Sequence, residues 1–298
     1  MTEVEQSVRG CLLQAQQLLV SNQNVDGLDA QDARLEAQLL LQHALNVNRA
    51  WLIAHENDAL EANIHAAFQA LLTRRLQGEP IAYILGYREF YGLDLLVTAA
   101  TLIPRPDTET LVEAALLRIL SNKPSQVLDL GTGSGAIALA IAKHRPQASV
   151  TGVDASSTAL EVAIKNAQRL KIDNAKFLPS NWFEAVEHQQ FDVIVSNPPY
   201  IEQNDHHLQQ GDLRFEPLSA LASGADGLDD IRQIVADCLI YLKPQAWLML
   251  EHGYNQAASV ADLMADIGLV DINTCKDLGG NDRVTMGKNP LIVSTHWD

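Results

Sequence analysis

From residue 126 onward the chain repeats one alternation, a short aliphatic or β-branched run followed by a longer stretch with apolar residues every three or four positions. QVLDL (126–130), SVTGVD (149–154), AKFLP (175–179), FDVIVS (191–196), AWLMLEH (246–252) and segments near 270–275 and 284–295 have the composition of strands, with helical patterning between most of them. Strands separated by helix-length connections pair in parallel, and a parallel sheet is covered on both faces. The expected fold is therefore α/β with a mostly parallel sheet. The last two strands are joined only by a turn carrying Gly279 and Gly280, so the final strand is expected to be antiparallel.

The chain before this region has a different period. Val4, Val8, Cys11, Leu12, Ala15, Leu18 and Leu19 recur at helical spacing, Leu35, Leu39, Ala44 and Leu45 continue it, and IHAAFQALLTRRLQG ends at Gly78 and Pro80. Residues 1–85 thus read as a small helical bundle. Residues 86–103, aromatic and β-branched around Gly92, read as a hairpin or extended connector. PRPDTE places Pro104 and Pro106 ahead of a helix capped by Asp107 or Thr108, and a second domain is expected to run from 104 to 298. Arg105, Asp107 and Glu109 have a sufficient reading there as turn, cap and helix start, so they stay outside the expected site. With 298 residues and 47% hydrophobic content, the chain is long enough for one large and one smaller core.

VLDLGTGSGAIALAIA runs from a strand through Gly131, Thr132, Gly133, Ser134 and Gly135 into a helix. A Cβ at such a turn blocks either the backbone conformation or the approach of a ligand to the helix N-terminus. Asp154 ends the following strand, where a carboxylate can accept both hydroxyls of a ribose. Together these residues describe a nucleoside-bearing cofactor. A dinucleotide calls for G-x-G-x-x-G, whereas the evenly spaced glycines here fit S-adenosyl-L-methionine better. Asn181 and Trp182 follow the third strand at the same sheet edge, and the indole either covers an adenine face or belongs to the core.

FDVIVSNPPYIE stops a strand with two prolines. Pro198 and Pro199 each hold φ near about −65° and have no N–H, so the backbone is stiff and rich in acceptors. The Asn197 side-chain oxygen and the Pro198 carbonyl form an acceptor pair suited to a planar NH2 group, and Tyr200 offers a flat face beside it. The nitrogen of such a group is a poor nucleophile because its lone pair is delocalised. Acceptors out of its plane favour the pyramidal form that exists only as a methyl arrives. The tetrapeptide suits an adenine amine and a glutamine amide equally.

Charge and targeting narrow the partners. The balance of 21 basic against 37 acidic residues, a formal charge of −16, opposes binding through phosphates. No run approaches the roughly 18 apolar residues of a spanning helix, and MTEVEQSVRG lacks the pattern of a signal peptide. Cys11, Cys238 and Cys275 are too far apart for a zinc motif and suit a reducing compartment, so a cytosolic protein is expected. His206 and His207 lie in a polar segment without further ligands, and no metal site is expected.

The glycine turn, Asp154 and Asn197–Tyr200 in this order resemble the class I S-adenosyl-L-methionine-dependent methyltransferases that act on amino or amide nitrogen. GEPIAYILGYREFYGLDLLV, TLIPRPDTETLVE, HLQQGDLRFEPLSAL and DLGGNDRVTMG are in addition similar to the bacterial peptide chain release factor glutamine methyltransferases of the HemK/PrmC type, over nearly the whole chain. The resemblance implies a Rossmann-like class I methyltransferase sheet behind a helical N-terminal domain that helps to dock a protein substrate. It implies N5-methylation of the glutamine in the Gly-Gly-Gln motif of class 1 release factors, an event of translation termination. It further implies cofactor contacts from Gly131, Thr132, Gly133, Ser134, Gly135, Asp154, Asn181, Trp182 and Asn197, and substrate contacts from Asn197, Pro198, Pro199 and Tyr200, of which Asn197, Pro198 and Tyr200 are the expected catalytic set. Several relatives carry Asp where this chain has Asn181, which keeps an acceptor for an adenine amine without its charge. An adenine-N6 methyltransferase and a methyltransferase-like module without activity are the alternatives, the first opposed by the acidic surface and the second by the intact acceptor motif.

Overall fold

The computed structural model describes residues 7–25 and 28–291. They form two compact units, the first made of the described part of Met1–Gly86 together with His206–Phe215, the second of Tyr87–Asp205 and the described part of Glu216–Asp298.

The first unit is helical. Its elements are α1 (Val8–Ser21), α2 (Ala30–Leu45), α3 (Arg49–Ala54), α4 (Ala62–Leu76) and α5 (Ile81–Leu85). Ser7, Asp29 and Asn48 cap the first three by accepting from backbone N–H groups that a helix start leaves unpaired. Among the described residues the periodic stretch is helical from Val8, and Val4 lies outside them. Val8, Cys11, Ala15, Leu19, Leu40, Leu41, Phe68 and Leu72 fill the core. Arg75 at the end of α4 is buried and forms ion pairs with Glu36 at 2.7 Å and with Asp212 at 3.3 Å. Arg214 reaches the Asn24 carbonyl at 2.9 Å. These contacts join segment 206–215 to the bundle, although the sequence pattern left it with the second domain.

The second unit opens with a hairpin, β1 (Tyr87–Phe90) and β2 (Leu93–Leu96), turned by Tyr91 and Gly92 at φ 49° and 75°. After α6 (Glu109–Leu116) come β3 (Ser125–Leu130), α7 (Ala136–His144), β4 (Ala148–Asp154), α8 (Ser157–Leu170), β5 (Ala175–Pro179), β6 (Phe191–Ser196), α9 (Asp229–Tyr241), β7 (Leu242–Glu251), α10 (Ala257–Asp266), β8 (Val270–Lys276) and β9 (Asp282–Lys288). The strands form one sheet in the order β5-β4-β3-β6-β7-β9-β8. The first five are mutually parallel, and β9 is antiparallel to both β7 and β8, as the short Gly279–Gly280 turn requires. The strand expected over 284–295 ends at Lys288, and 292–295 lie outside the described residues. One apolar layer holds Val127, Ile137, Ile141 and Val195, the opposite one Leu128, Ile194, Ile231 and Leu248, so alternate residues of the same strands serve the two faces. Of the cysteines, Cys11 and Cys238 are fully buried and Cys275 half-buried. No helix among the described residues is long and apolar enough to cross a membrane.

The chain runs from β3 outward to β4 and β5, then returns to place β6 on the other side of β3. This reversal opens a crevice at the carboxyl ends of β3 and β6. The glycine turn follows β3 and Asn-Pro-Pro-Tyr follows β6, so both motifs reach the same edge.

Candidate active site

Gly131, Gly133 and Gly135 all adopt left-handed backbone, with φ of 68°, 56° and 83°. L-residues pay about 1 to 2 kcal/mol each for that region, so an alternating glycine pattern is the sequence image of this turn. A Cβ on Gly135 would lie 3.1–3.3 Å from Leu139, Ala163 and Phe177, whereas nothing stands within 4 Å of one on Gly133. Gly135 thus serves helix–strand packing, and Gly133 opens onto free space.

Asp154 ties the turn to the end of β4. Its Oδ2 accepts from the Gly133 N–H and its Oδ1 from the Ser156 N–H, both at 2.8 Å. Each oxygen keeps a lone pair for a hydroxyl of a ligand. Beneath the turn, Asp129 is fully buried and accepts from the Thr132 hydroxyl at 2.6 Å and the Ala138 N–H at 3.2 Å. Burial pushes its carboxyl up to about 7 in spite of these bonds.

A cavity of about 270 Å³ is lined by Gly131, Gly133, Asp154, Asn181, Trp182, Asn197 and Pro199 among the expected residues. Thr132, Ser134 and Gly135 do not face it. Thr132 is spent on Asp129, and the buried Ser134 gives its carbonyl to Asn166, which also bonds both backbone groups of Leu96. Trp182 combines the two roles left open by its sequence. Its ring lines the cavity above Gly131 and also packs on the core. Asn181 donates to Glu184 at 3.2 Å, which leaves its side-chain oxygen as an acceptor, and the residue lines the cavity.

Asn197 donates from Nδ2 to the Thr108 hydroxyl at 3.2 Å, so its Oδ1 is free to accept from a ligand. Pro199 lines the cavity, while Pro198 is buried and does not. Tyr200 turns away from the lining. Its hydroxyl donates to Glu251 at 3.4 Å and its carbonyl accepts from Gln256 at 3.1 Å. Burial and the adjacent Glu251 charge raise its pKa.

The remaining wall was not apparent in sequence. Thr101 and Leu102 form one side, and Pro217, Ser219, Ala220 and Asp230 another. Arg105 joins the two sides by an ion pair with Glu216, whose side chain is fully buried and also accepts from the Ile103 N–H at 3.1 Å. Thr108 was expected only as a cap. It occupies the cap position of α6 in helical backbone, at φ −65° and ψ −18°, without a side-chain capping bond, and its hydroxyl accepts from Asn197 instead.

A carboxylate bound at both oxygens by backbone N–H groups, an indole face and a side-chain-free glycine turn are the groups a ribose, an adenine and the adjoining chain need. The residues present therefore fit S-adenosyl-L-methionine, with Asn197, which directly follows β6, in the same lining.

The chain matches known families over most of its length. The model described as methyltransferase small domain covers residues 110–213, and that described as PrmC N-terminal domain covers 24–86. The release factor glutamine methyltransferase of Xylella fastidiosa is 51% identical over 257 residues, spanning 86% of this chain and 94% of that protein. Its counterpart in Escherichia coli is 47% identical over 259 residues, 87% of this chain and 93% of that one. Among solved structures, a methyltransferase from Pyrococcus furiosus covers 74% of this chain and 98% of its own with a TM-score of 0.54 at 18% identity, a likeness of fold.

Proposed function

Because the chain belongs to the release factor glutamine methyltransferase family, we propose that its cavity binds S-adenosyl-L-methionine against Gly131, Gly133, Asp154, Asn181 and Trp182 and presents Asn197 and the Pro198–Pro199 backbone to the side-chain amide of a glutamine. The protein is a protein-(glutamine-N5) methyltransferase using S-adenosyl-L-methionine, and its substrate is a release factor. We take the modified residue to be the glutamine of the Gly-Gly-Gln motif in class 1 factors, and the helical first unit to help dock that protein. The single observation that carries the role of the tetrapeptide is the Asn197–Thr108 hydrogen bond, which leaves an acceptor, not a donor, for the incoming NH2 group.

The bound cofactor would supply an electrophilic methyl on a sulfonium. The chain's own contribution is to the nitrogen. Asn197 Oδ1, with the Pro198 carbonyl as its proposed companion, accepts from the amide N–H groups and favours the pyramidal nitrogen over the planar one. Stiff backbone at Pro198 and Pro199 keeps these acceptors from following the substrate back to its ground state. Holding the nitrogen in line contributes up to about 7 to 11 kcal/mol in well-oriented systems. The methylated nitrogen is acidic and releases its proton without a strong base.

An acidic chain whose substrate is a release factor has no need of direct nucleic-acid contact, and we place it in the cytoplasm with its substrate. Incubation with methyl-labelled cofactor and either a release factor or nucleic acid, followed by mass spectrometry of the glutamine-containing loop, tests the assignment. Label on that glutamine is expected, and label in nucleic acid alone would overturn it.

A further inference from the structure

We propose that Gln256, the residue ahead of α10, is a positioning residue for the reaction: its side-chain amide clamps the Tyr200 carbonyl and so fixes the far end of the Pro198–Pro199 acceptor backbone. The assignment rests on the functional reading above. Gln256 does not line the cavity, so its action on the reaction passes through Tyr200.

Pro198 and Pro199 have no N–H, so this stretch of backbone has no donor with which to secure itself. Its position is set from its two ends. At the near end the Ser196 hydroxyl donates to the Leu130 carbonyl at 2.8 Å, which ties the last residue of β6 to β3. At the far end the Tyr200 and Ile201 N–H groups both donate to the Leu221 carbonyl, at 3.2 and 2.9 Å. The carbonyl of Tyr200 accepts from Gln256 Nε2 at 3.1 Å. The peptide between Tyr200 and Ile201 is therefore held by Leu221 at its N–H and by Gln256 at its C=O, which fixes the rotation of its plane.

The side chain of Gln256 is buried and fully used. Oε1 accepts from the Gly253 N–H at 2.8 Å, and Nε2 donates to the carbonyls of Tyr200 and, at 3.3 Å, of Asp226. A backbone N–H only donates and a carbonyl only accepts, so these three partners admit one orientation of the amide. Gly227 leaves the room for it. A Cβ there would lie 2.2 Å from the Tyr200 carbonyl oxygen and 2.8 Å from Gln256 Nε2. A glycine at 227 and an amide at 256 thus converge on one carbonyl oxygen of Asn-Pro-Pro-Tyr.

Gln256 in this way joins the segments that follow β6, precede α9 and follow β7. Its bond to Gly253 serves the start of α10, whereas the bonds to Tyr200 and Asp226 serve other segments. Freed from the amide, the peptide at Tyr200 can turn about its remaining bond to Leu221. The stiff Pro-Pro unit passes that turn back to the Pro198 carbonyl and changes its direction relative to Asn197. Where alignment carries the reaction, a misplacement of about 1 Å costs up to about 100-fold in rate. Cofactor affinity rests on the glycine turn and Asp154, which follow β3 and end β4, and is not expected to change with Gln256.

Gln256→Glu and Gln256→Met test this, with kcat on a release factor, cofactor affinity by calorimetry and the pH profile relative to wild type as readouts. The carboxyl of Gln256→Glu keeps an acceptor for Gly253. Ionised, it has no donor and opposes two carbonyls; protonated, its O–H restores the bond to Tyr200. Burial and the facing carbonyls hold its titration above the ordinary value of about 4.3. Glu251, His252, Tyr200 and the Asp226–Arg232 pair nearby are common to both proteins, so the ratio to wild type at each pH reports the substituted carboxyl. That ratio should be lower by about 10-fold or more at about pH 8.5 and regain most of the loss at about pH 6, while Gln256→Met stays low at both. Cofactor affinity should be unchanged in each. Gly227→Ala, which crowds the same carbonyl and leaves the amide in place, should lower kcat likewise and keeps the test open if neither substitution at 256 folds. Wild-type kcat in Gln256→Met or Gly227→Ala, a loss in Gln256→Glu that does not ease on acidification, or cofactor affinity that falls in step with kcat overturns the proposal. A wild-type protein that binds cofactor and leaves the release factor unmodified overturns the functional reading and this one with it, a result distinct from an active wild type with indifferent variants.

Discussion

Asn197 and Thr108, 89 residues apart in the chain, share a 3.2 Å hydrogen bond in which the amide donates and the hydroxyl accepts. The bond takes the donor end of Asn197 out of the cavity and gives Thr108 a task other than capping α6. If the remaining oxygen stabilises the pyramidal nitrogen, Asn197→Ala should lower kcat by roughly 100-fold or more, as removal of oxyanion-hole donors does elsewhere. Single-turnover methylation of a release factor measures it. An unchanged rate would remove Asn197 from the reaction.

Asp154 is expected to act on binding. Hydrogen bonds to a charged group contribute about 1.5 to 3 kcal/mol, so Asp154→Ala should weaken cofactor affinity about 10- to 100-fold in calorimetry. The Gly133 and Ser156 N–H groups lose their acceptor as well, and a lower melting temperature should accompany the loss. Affinity equal to that of the wild type would mean that the ribose lies elsewhere.

What could be read from the sequence follows from how local each constraint is. Gly131, Gly133 and Gly135 were legible because positive φ at alternate positions is demanded within the turn itself, and Asp154 because one βαβ unit sets its distance. Thr108 and Glu251 carried no such signal. Thr108 was masked by a sufficient local role, and Glu251 resembles any strand end until β6 and β7 are paired in register. The cavity wall at Thr101–Leu102 and Pro217–Ala220 depends on a bond between residues 111 apart. Segment 206–215 joins the helical unit through Arg75–Asp212 and Arg214–Asn24, pairings that no periodicity encodes. Tyr200 was expected as an open platform beside Asn197, yet nothing local to Pro-Pro-Tyr selects the direction in which its ring turns.

The Arg105–Glu216 pair should matter for the cofactor pocket without touching the reaction. Glu216 is fully buried at its side chain and Arg105 one-third exposed, at 33%. Breaking a buried pair costs about 3 to 5 kcal/mol, and partial exposure of Arg105 reduces this to about 2 to 3 kcal/mol for Glu216→Ala. The Ile103 N–H is left unpaired by the same change. The expected outcome is a lower urea midpoint and a higher KM for cofactor, with kcat at saturation little changed. A variant as stable as wild type would show that the two loops are held by other contacts.

Stability should carry a pH signature from Asp129, whose carboxyl rises from the ordinary 3.8 to about 7, chiefly through burial. Below the lower value both folded and unfolded states hold the proton. Between the two values the folded state keeps a proton that the unfolded state has released, so stability falls as pH rises across this window, by at most about 1.4 kcal/mol per pH unit for one group. Above about 7 the fold carries the whole cost of a buried charge. Glu251 contributes in the same direction, whereas burial of neutral His252, whose pKa is lowered, works against it as pH falls. Comparison of wild type with Asp129→Asn therefore isolates one carboxyl, since the other groups are common to both. Urea unfolding at about pH 5 and about pH 8 should show the variant gaining on the wild type at the higher value, because the amide needs no proton to remain neutral. An equal stability difference at both values would mean that Asp129 is ionised throughout, its charge met by the Thr132 hydroxyl and the Ala138 N–H alone.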